Sequence, residues 1–312
     1  MSRLFCLLAL LFIANAQAEV RLLTSIKPLQ LIAAAVQDGV GEPEVLLPPG
    51  ASPHHYALRP SDVRRVRDAD LLYWIGPDME AFLPRVLGSR EKPQVAVQDL
   101  PGMTLRHFGE SHEEDDHDDH DHEHAHAGDD LGHDHDHRPG SLDAHLWLAA
   151  DNAKVIAARM AADLAKLDTA NAGRYAANLK AFEARLDVLD GRIRPQLAAL
   201  QGKPYFVFHE AFDYFEAAYG LKHAGVFSVL TEVQPGARHV AAMRERLQQA
   251  GPSCVFSEPP LRPRLAETLT AGLPVKLAEL DALGGALPVD ASGYEQLLEN
   301  LAGGLSECLN SL

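Results

Sequence analysis

The sequence predicts an α/β protein made of two similar lobes with mostly parallel sheets, joined by one long helix. Short apolar runs rich in β-branched and aromatic residues alternate with helical segments from residue 20 to about residue 90. A single apolar stripe at helical spacing then occupies residues 169–200, and the alternation starts again at residue 204. Strands that alternate with helices indicate parallel sheets covered by helices on both faces.

The first lobe, residues 19–168, opens with three strand–helix pairs. Its predicted strands are VRLLTSI (20–26), EPEVLLP (42–48) and DLLYWIG (70–76). Its predicted helices are LQLIAAAVQDGV (29–40), DVRRVRDA (62–69) and DMEAFLPRVL (78–87). Ser61 is in position to cap the second helix. Further along, the run LDAHLWL leads into an Ala-rich helix from about Asn152 to Leu167.

The connection between the lobes is predicted as one helix over residues 169–200. Its apolar positions advance in steps of three and four residues, the spacing of one buried helix face. These positions are Tyr175, Leu179, Phe182, Leu186, Leu189, Ile193, Leu197 and Leu200. A helix of this length extends over about 48 Å, enough to cross both lobes. Pro195 is expected to bend it near its end.

The second lobe, residues 201–312, repeats the same alternation. Its predicted strands are PYFVF (204–208), AGVFSV (224–229), SCVFSEP (253–259) and VKLAELD (275–281). Its predicted helices are HEAFDYFEAAYG (209–220), PGARHVAAMRERLQQAG (235–251), PRLAETLTAG (263–272) and the C-terminal segment 293–312.

Residues 1–18 are predicted to be a cleaved signal peptide. Arg3 precedes an apolar run that is too short to span a bilayer, and the segment ends in Ala16-Gln17-Ala18, a small-x-small cleavage pattern. We therefore expect a periplasmic protein whose mature chain begins at Glu19. No later stretch has the length and apolar composition of a membrane span.

The predicted export also affects whether the cysteines are expected to form a disulfide. Cys6 leaves with the predicted signal peptide, so Cys254 and Cys308 remain as an even pair in an oxidising compartment. Such a pair favours a disulfide, and two unpaired buried thiols are the alternative.

The formal net charge of −16 is concentrated in one segment. Between His107 and His137 there are thirteen acidic residues, ten histidines and no lysine or arginine. This composition predicts a disordered loop, about residues 107–140, that binds several metal ions weakly. Nothing in the chain resembles a basic nucleic-acid surface, so nucleic acid is excluded as a partner.

Outside that loop, three histidines occupy comparable positions near predicted strand ends. His54 lies in the loop after the second strand, His145 lies in LDAHLWL just before a helix, and His209 directly follows PYFVF. Asp281 closes the last strand. Because ligands gather at the carboxyl ends of parallel strands, we expect these four side chains to form one zinc site. His223 and His239 are interpreted as ordinary structural histidines, and His55 as exposed.

Several motifs in order resemble the zinc-binding periplasmic proteins of ABC importers, the ZnuA type. They are GASPHHYALRPSD, DAHLWL, YFVFHEAFDYFEAAYGL, EVQPGARH, CVFSEPPLRP and LAELDALG, together with the His/Asp-rich insertion and the Cys254–Cys308 pair. The resemblance covers essentially the whole mature chain. It implies two α/β lobes joined by a rigid helix, little movement between them, and a metal in the cleft.

The resemblance also implies a function and a ligand set. His54, His145 and His209 match the metal-binding histidines of the family. Asp281 matches an acidic ligand position whose place a water or another carboxylate takes in the zinc-binding branch. The implied function is capture of Zn²⁺ and delivery to an inner-membrane ABC permease. A manganese or iron receptor is the alternative within the family, but a third imidazole favours zinc because harder metals prefer oxygen donors. We expect a monomer, with the loop as a possible contact for a zinc chaperone.

Two functions of other classes compete with transport. A zinc hydrolase would need a general base, for which Glu210 beside His209 is the candidate, but no HExxH pair or nucleophile elbow occurs. A zinc buffer or chaperone would work mainly through the loop at 112–137 and would lose its tight binding without it.

Overall fold

The computed structural model describes residues 19–109, 140–228, 237–259 and 264–312. The predicted signal peptide and almost all of the His/Asp-rich segment lie outside these residues. Within the described part, no helix combines the length and the apolar character needed to cross a membrane.

The first lobe contains a four-stranded parallel sheet. Its strands are β1 (Leu22–Thr24), β2 (Glu44–Val45), β3 (Leu71–Trp74) and β4 (Gln94–Ala96). They are arranged in the order β2-β1-β3-β4, and every pairing is parallel. All four side chains of β3 are buried, as expected for a central strand covered on both faces.

A short antiparallel pair carries the two ends of the His/Asp-rich segment. It consists of β5 (Arg106–His107) and β6 (Leu142–Asp143). Beyond these strands the backbone pairing continues, because the Phe108 N–H donates to the carbonyl oxygen of Ser141 at 3.0 Å. The segment therefore leaves and returns at adjacent points of one hairpin.

The second lobe repeats the topology of the first. Its strands are β7 (Tyr205–His209), β8 (Gly225–Ser228), β9 (Ser253–Ser257) and β10 (Val275–Glu279). The order β8-β7-β9-β10 places the second strand of the lobe at the edge beside the first strand, as in the other sheet. The prediction of two similar α/β lobes with parallel sheets is confirmed.

Nine helices accompany these sheets in the described residues. They are α1 (Lys27–Val36), α2 (Pro60–Asp68), α3 (Pro84–Leu87), α4 (Ala150–Leu167), α5 (Ala172–Ala198), α6 (Asp213–Tyr219), α7 (Ala237–Ala250), α8 (Arg264–Thr270) and α9 (Gly293–Leu309). The long helix α5 is preceded by a 3-10 turn at Thr169–Asn171. Six of its side chains, at the predicted spacing, are buried: Tyr175, Phe182, Leu186, Leu189, Ile193 and Leu197.

Some local predictions were wrong. Of the strand predicted at 42–48 only Glu44–Val45 forms, and the helix predicted at 78–87 is reduced to Pro84–Leu87. Strand β4 was not predicted. Ser61 does not cap α2, since the helix begins at Pro60 and the Asp62 carboxylate accepts the backbone N–H of Arg59 at 3.0 Å. His209 ends β7, and α6 starts only at Asp213.

The C-terminal helix α9 connects the two lobes. It packs against α1 and α5 as well as against β9 and β10 of its own lobe. The ring centroids of Tyr294 in α9 and Phe182 in α5 are 5.7 Å apart. Buried side chains from both sheets, α5 and α9 therefore form one continuous apolar core. A disulfide joins Cys254 of β9 to Cys308 of α9.

Candidate metal centre

His54, His145 and His209 converge although they are distant in sequence. One potential ligand atom of each lies within 4.8 Å of those of the other two. Their ring centroids are separated by 4.9–5.4 Å. All three residues are buried, with exposed fractions of 6%, 2% and 4%. His54 lies in the loop after β2 and His209 ends β7, both strands of the parallel sheets, whereas His145 follows β6 of the short antiparallel pair.

His54 reaches this point from the loop after β2. The preceding residues Pro49–Pro53 line the same cavity, and the backbone N–H of His54 lies 3.3 Å from the Ser52 hydroxyl oxygen. The neighbouring His55 is exposed, as predicted. Of these two adjacent histidines, only His54 is buried.

His145 is held by the acidic residue two positions earlier. Its Nδ1 lies 2.8 Å from Oδ1 of Asp143, which also accepts the backbone N–H of His145 at 2.9 Å. Asp143 is fully buried at the end of β6. Burial raises the pKa of the Asp143 carboxyl well above its usual value, and the His145 N–H partly opposes the shift. A cation on the ring would favour the charged carboxylate.

His209 has a comparable partner from the neighbouring strand. Its Nδ1 lies 2.8 Å from Oε1 of Glu258, the residue that follows β9. Strands β7 and β9 are parallel neighbours, so their carboxyl ends bring the two side chains together. Each of these carboxylates fixes an imidazole with Nδ1 as donor, which leaves Nε2 as the nitrogen to bind a metal.

The three rings lie at one wall of a cavity of about 680 Å³ between the lobes. Trp147 lines it from the 3-10 turn at Leu146–Leu148, and its indole N–H donates to the carbonyl oxygen of Ala282 at 2.8 Å. Tyr294 of α9 donates its hydroxyl to the Trp147 carbonyl oxygen at 2.6 Å. The segment carrying His145 is therefore fixed to the second lobe.

Asp281 lines the same cavity but does not join the group of three. Its Oδ1 accepts the N–H groups of Leu283 and Gly284 at 2.9 and 2.8 Å, and its Oδ2 accepts that of Gly285 at 2.8 Å. The carboxylate thus organises a tight turn in which Gly284 has a φ of +64°. Both of its oxygens are engaged by the backbone in this conformation.

The donor set favours zinc on chemical grounds. A tetrahedral zinc ion bound by imidazoles needs nitrogens about 3.4 Å apart. The candidate ligand atoms of the three histidines lie within 4.8 Å of one another, near that spacing. Three neutral nitrogens suit zinc better than manganese, which prefers oxygen ligands.

Glu210 does not share this site. It lines a separate cavity with Asp213 and His223, whereas His209 lines the cleft. The side chains of His209 and Glu210, although adjacent in sequence, therefore line different cavities. Glu210 is not placed to act as general base for a metal held by His209, which removes the candidate base of a hydrolase.

Asp143 and Glu258 were not predicted from the sequence. The D-x-H spacing of Asp143 and His145 was a detectable signal, since it lets one carboxylate bond both the backbone and the ring of the histidine. For Glu258 the signal was its place directly after strand β9, at the same sheet edge as His209.

Comparison with known proteins identifies the family. The family model described as zinc-uptake complex component A, periplasmic (ZnuA), matches residues 22–308. The high-affinity zinc uptake system protein ZnuA of Yersinia pestis is 41% identical over 294 residues, which cover 94% of this chain and 92% of that protein. The protein of the same name from Haemophilus ducreyi is 38% identical, covering 94% of each chain.

Solved structures agree in fold at lower identity. A crystal structure of ZnuA superposes with a TM-score of 0.73 at 22% identity, covering 93% of this chain and 98% of that one. The periplasmic zinc-binding protein TroA of Treponema pallidum gives a TM-score of 0.73 at 19% identity, covering 93% and 99%. With the family match over almost the entire described chain, this protein belongs to the ZnuA family of periplasmic zinc-uptake components.

Proposed function

We propose that this protein captures Zn²⁺ in the periplasm with high affinity and delivers it to an inner-membrane ABC permease. The observation that carries the proposal is the group of three buried imidazoles, His54, His145 and His209, at the wall of a cleft between two parallel sheets. Membership in the zinc-uptake family supports the same role and argues against an enzyme.

In this proposal the three imidazoles are the protein ligands and a water takes the fourth place. Asp281 is the alternative fourth ligand, and it would have to release the backbone N–H groups that its oxygens now accept. Asp143 and Glu258 act on the metal indirectly, because each orients one histidine. Zinc is favoured over manganese or iron, because harder metals prefer oxygen donors to a third imidazole.

The remaining parts of the proposal concern the chain outside the site. Residues 1–18 are removed as a signal peptide, and the two lobes divide at 19–168 and 201–312 around the connecting helix. The protein acts as a monomer. The His/Asp-rich segment gathers zinc or contacts a periplasmic zinc chaperone, while the tight ion binds in the cleft.

The test distinguishes zinc binding in the cleft from zinc binding by the His/Asp-rich segment. Residues 110–139 can be deleted by joining Gly109 directly to Gly140. Both glycines have a φ of +85°, and they are flanked by the hydrogen-bonded pair Phe108 and Ser141. A Gly-Gly pair with positive φ suits a two-residue hairpin turn, so the deletion is expected to preserve the β5–β6 pair.

Calorimetric titration with Zn²⁺ then compares this deletion variant with His209→Ala in the full chain. We expect the deletion variant to keep one tight Zn²⁺ per chain and His209→Ala to lose it. His55→Ala is the matched control, since His55 is exposed beside the site and should leave the tight event unchanged. Tight binding that disappears with the segment and survives His209→Ala would establish a zinc buffer and overturn the proposal.

A further inference from the structure

The backbone on either side of His145 is held by two tyrosine side chains of the second lobe. The hydroxyl of Tyr214 in α6 donates to the carbonyl oxygen of Asp143 at 2.8 Å. The hydroxyl of Tyr294 in α9 donates to the carbonyl oxygen of Trp147 at 2.6 Å. These carbonyl groups lie two residues before and two residues after His145, and both tyrosines are buried, with exposed fractions of 2% and 0%. The segment that carries a first-lobe histidine is thus fixed at both ends by the other lobe.

Tyr214 also joins the two strands of the β5–β6 pair. Its hydroxyl oxygen accepts the backbone N–H of Arg106 at 2.9 Å while it donates to Asp143, the residue that is paired with Arg106 in the register of the two strands. One oxygen atom therefore connects β5, β6 and α6. The strand that leads into the His145 segment cannot shift along its partner without losing both of these hydrogen bonds.

Tyr294 is placed by the apolar core between the lobes. The centroid of its ring lies 5.7 Å from that of Phe182 in the connecting helix α5. Burial raises the pKa of its hydroxyl well above the usual value, so the group stays protonated and remains a donor. The acceptor residue, Trp147, is itself fully buried and donates its indole N–H to the carbonyl oxygen of Ala282 in the second lobe. The chain after His145 is therefore attached both to α9 and to the turn at Ala282.

This attachment concerns the metal centre because His145 and His209 come from different lobes. Their ring centroids are 4.9 Å apart, the shortest of the three separations among the imidazoles. His209 ends β7, in the lobe from which both tyrosines come. The two hydroxyls therefore hold the first-lobe imidazole at a fixed position relative to the second-lobe imidazole. Neither tyrosine lines the cleft, so neither is a ligand.

We propose that Tyr214 and Tyr294 are positioning residues of the metal centre, which keep His145 at the distance from His209 that one Zn²⁺ ion requires. The inference rests on the proposed function, since it concerns Zn²⁺ affinity at the same cleft. It adds that this affinity depends on the docking of the two lobes, because separation of the lobes would break both hydrogen bonds. By linkage, a bound Zn²⁺ ion stabilises the docked arrangement by the same factor.

A purely structural role of the two tyrosines is the competing explanation. Asn152 of α4 also holds the segment from within the first lobe, because its side-chain N–H donates to the Leu146 carbonyl oxygen at 3.0 Å. If Asn152 and the Asp143 carboxylate were enough to place His145, loss of a tyrosine hydroxyl would lower stability alone. If the hydroxyls are needed, the same loss would also lower Zn²⁺ affinity. Stability and affinity must therefore be measured on the same variants.

Tyr214→Phe and Tyr294→Phe each remove one hydroxyl and keep the aromatic ring. We expect each to lower Zn²⁺ affinity about 10-fold or more, the usual effect of removing a group that orients a metal-ligating histidine. Competition with a chromophoric chelator, at no more than one equivalent of Zn²⁺, measures the affinity of the full chain, and thermal unfolding of the metal-free protein measures its stability. Tyr175→Phe is the matched control, because Tyr175 is 1% exposed and its hydroxyl donates at 2.9 Å to Asp168, which does not line the cleft. This control should lose stability and keep its Zn²⁺ affinity.

A spectroscopic measurement separates the geometry of the metal centre from general destabilisation. With one equivalent of Co²⁺ in place of zinc, Tyr214→Phe and Tyr294→Phe should shift or weaken the visible ligand-field bands, whereas Tyr175→Phe should reproduce those of the unaltered protein. If one of the two tyrosine variants folds poorly, the other still provides the test. Unchanged affinity or unchanged bands in a folded variant of Tyr214 or Tyr294 would overturn the inference, as would an equal loss of affinity in Tyr175→Phe. Absence of tight Zn²⁺ binding in the unaltered protein would instead contradict the proposed function.

Discussion

Nδ1 of His209 lies 2.8 Å from Oε1 of Glu258, although the two residues come from different strands of the second sheet. The contact exists because β7 and β9 are parallel neighbours that end at the same edge. It parallels the contact of His145 with Asp143 in the first lobe. In two of the three imidazoles, a carboxylate thus accepts a hydrogen bond from Nδ1. This contact leaves Nε2 as the nitrogen that faces the cleft.

Glu258→Ala is expected to lower Zn²⁺ affinity by about 10- to 100-fold, the usual effect of removing the carboxylate behind a ligating histidine. Glu258→Gln should cost less, because its amide oxygen still accepts from Nδ1. Competition with a chromophoric chelator measures both affinities. Glu267→Gln, at an exposed position of α8, is the matched control. Unchanged affinity in Glu258→Ala would mean that the ring keeps its orientation without the carboxylate.

Asp281→Asn tests the fourth position of the site. The substitution removes the Oδ2 acceptor of the Gly285 N–H, so we expect the metal-free protein to lose about 1–3 kcal/mol of stability. Because Oδ1 and Oδ2 are engaged in the turn, zinc affinity should fall by less than about 10-fold, that is, by less than about 1.4 kcal/mol. Thermal unfolding and calorimetry measure the two effects. An affinity loss as large as that of His209→Ala would instead make Asp281 a ligand.

Glu80 makes stability depend on pH. Its carboxylate is fully buried, and burial raises its pKa from the usual 4.5 to about 7, although hydrogen bonds from Ser25, Gly76 and Ile75 partly oppose the shift. Between these two values the folded protein holds more protons than the unfolded chain, so stability falls as the pH rises from about 4.5 to 7. The expected loss is about 3 kcal/mol.

Glu80→Gln should remove this contribution, because glutamine does not titrate. Thermal unfolding of the chelator-treated protein at several pH values between 4.5 and 7 measures the difference between the two proteins. Glu42→Gln, at an exposed position of the same lobe, controls for the change of charge. Parallel stability profiles for Glu80→Gln and the unaltered protein would show that Glu80 is charged throughout this range.

The disulfide between Cys254 and Cys308 closes 54 residues of sequence and joins β9 to α9. On the chain-entropy account, its removal costs about 4 kcal/mol. The paired variant Cys254→Ser with Cys308→Ser should therefore unfold at a lower temperature while it retains tight zinc binding, since neither cysteine lines the cleft. Thermal unfolding with and without reductant provides the check: reductant should lower the transition of the unaltered protein only.

Much of the fold was predictable because its signals are periodic. The α5 stripe and the buried strands β3, β7 and β9 follow directly from hydrophobic spacing. The wrong predictions concern short elements such as β2 and α3, where two to four residues carry too little pattern to define a boundary. Strand β4 was missed because its sequence, QVA, is too short to be distinguished from a loop.

In the candidate site, too, some features were predictable from the sequence and others were not. His54, His145 and His209 were expected to converge, and they do, although His145 follows the antiparallel strand β6 and not a strand of the parallel sheets. Asp281 was expected among them, yet its carboxylate is engaged by the backbone of its own turn, a detail that depends on local φ and ψ angles.

The hairpin of β5 and β6 has a consequence for the evolution of the chain. Its ends are already paired at Phe108 and Ser141, so a segment inserted between them adds only the slowly growing entropy of closing a longer loop. Each doubling of that length costs only about 0.6 kcal/mol. Insertions, deletions and substitutions in this segment should therefore change the free energy of folding of the two lobes only slightly.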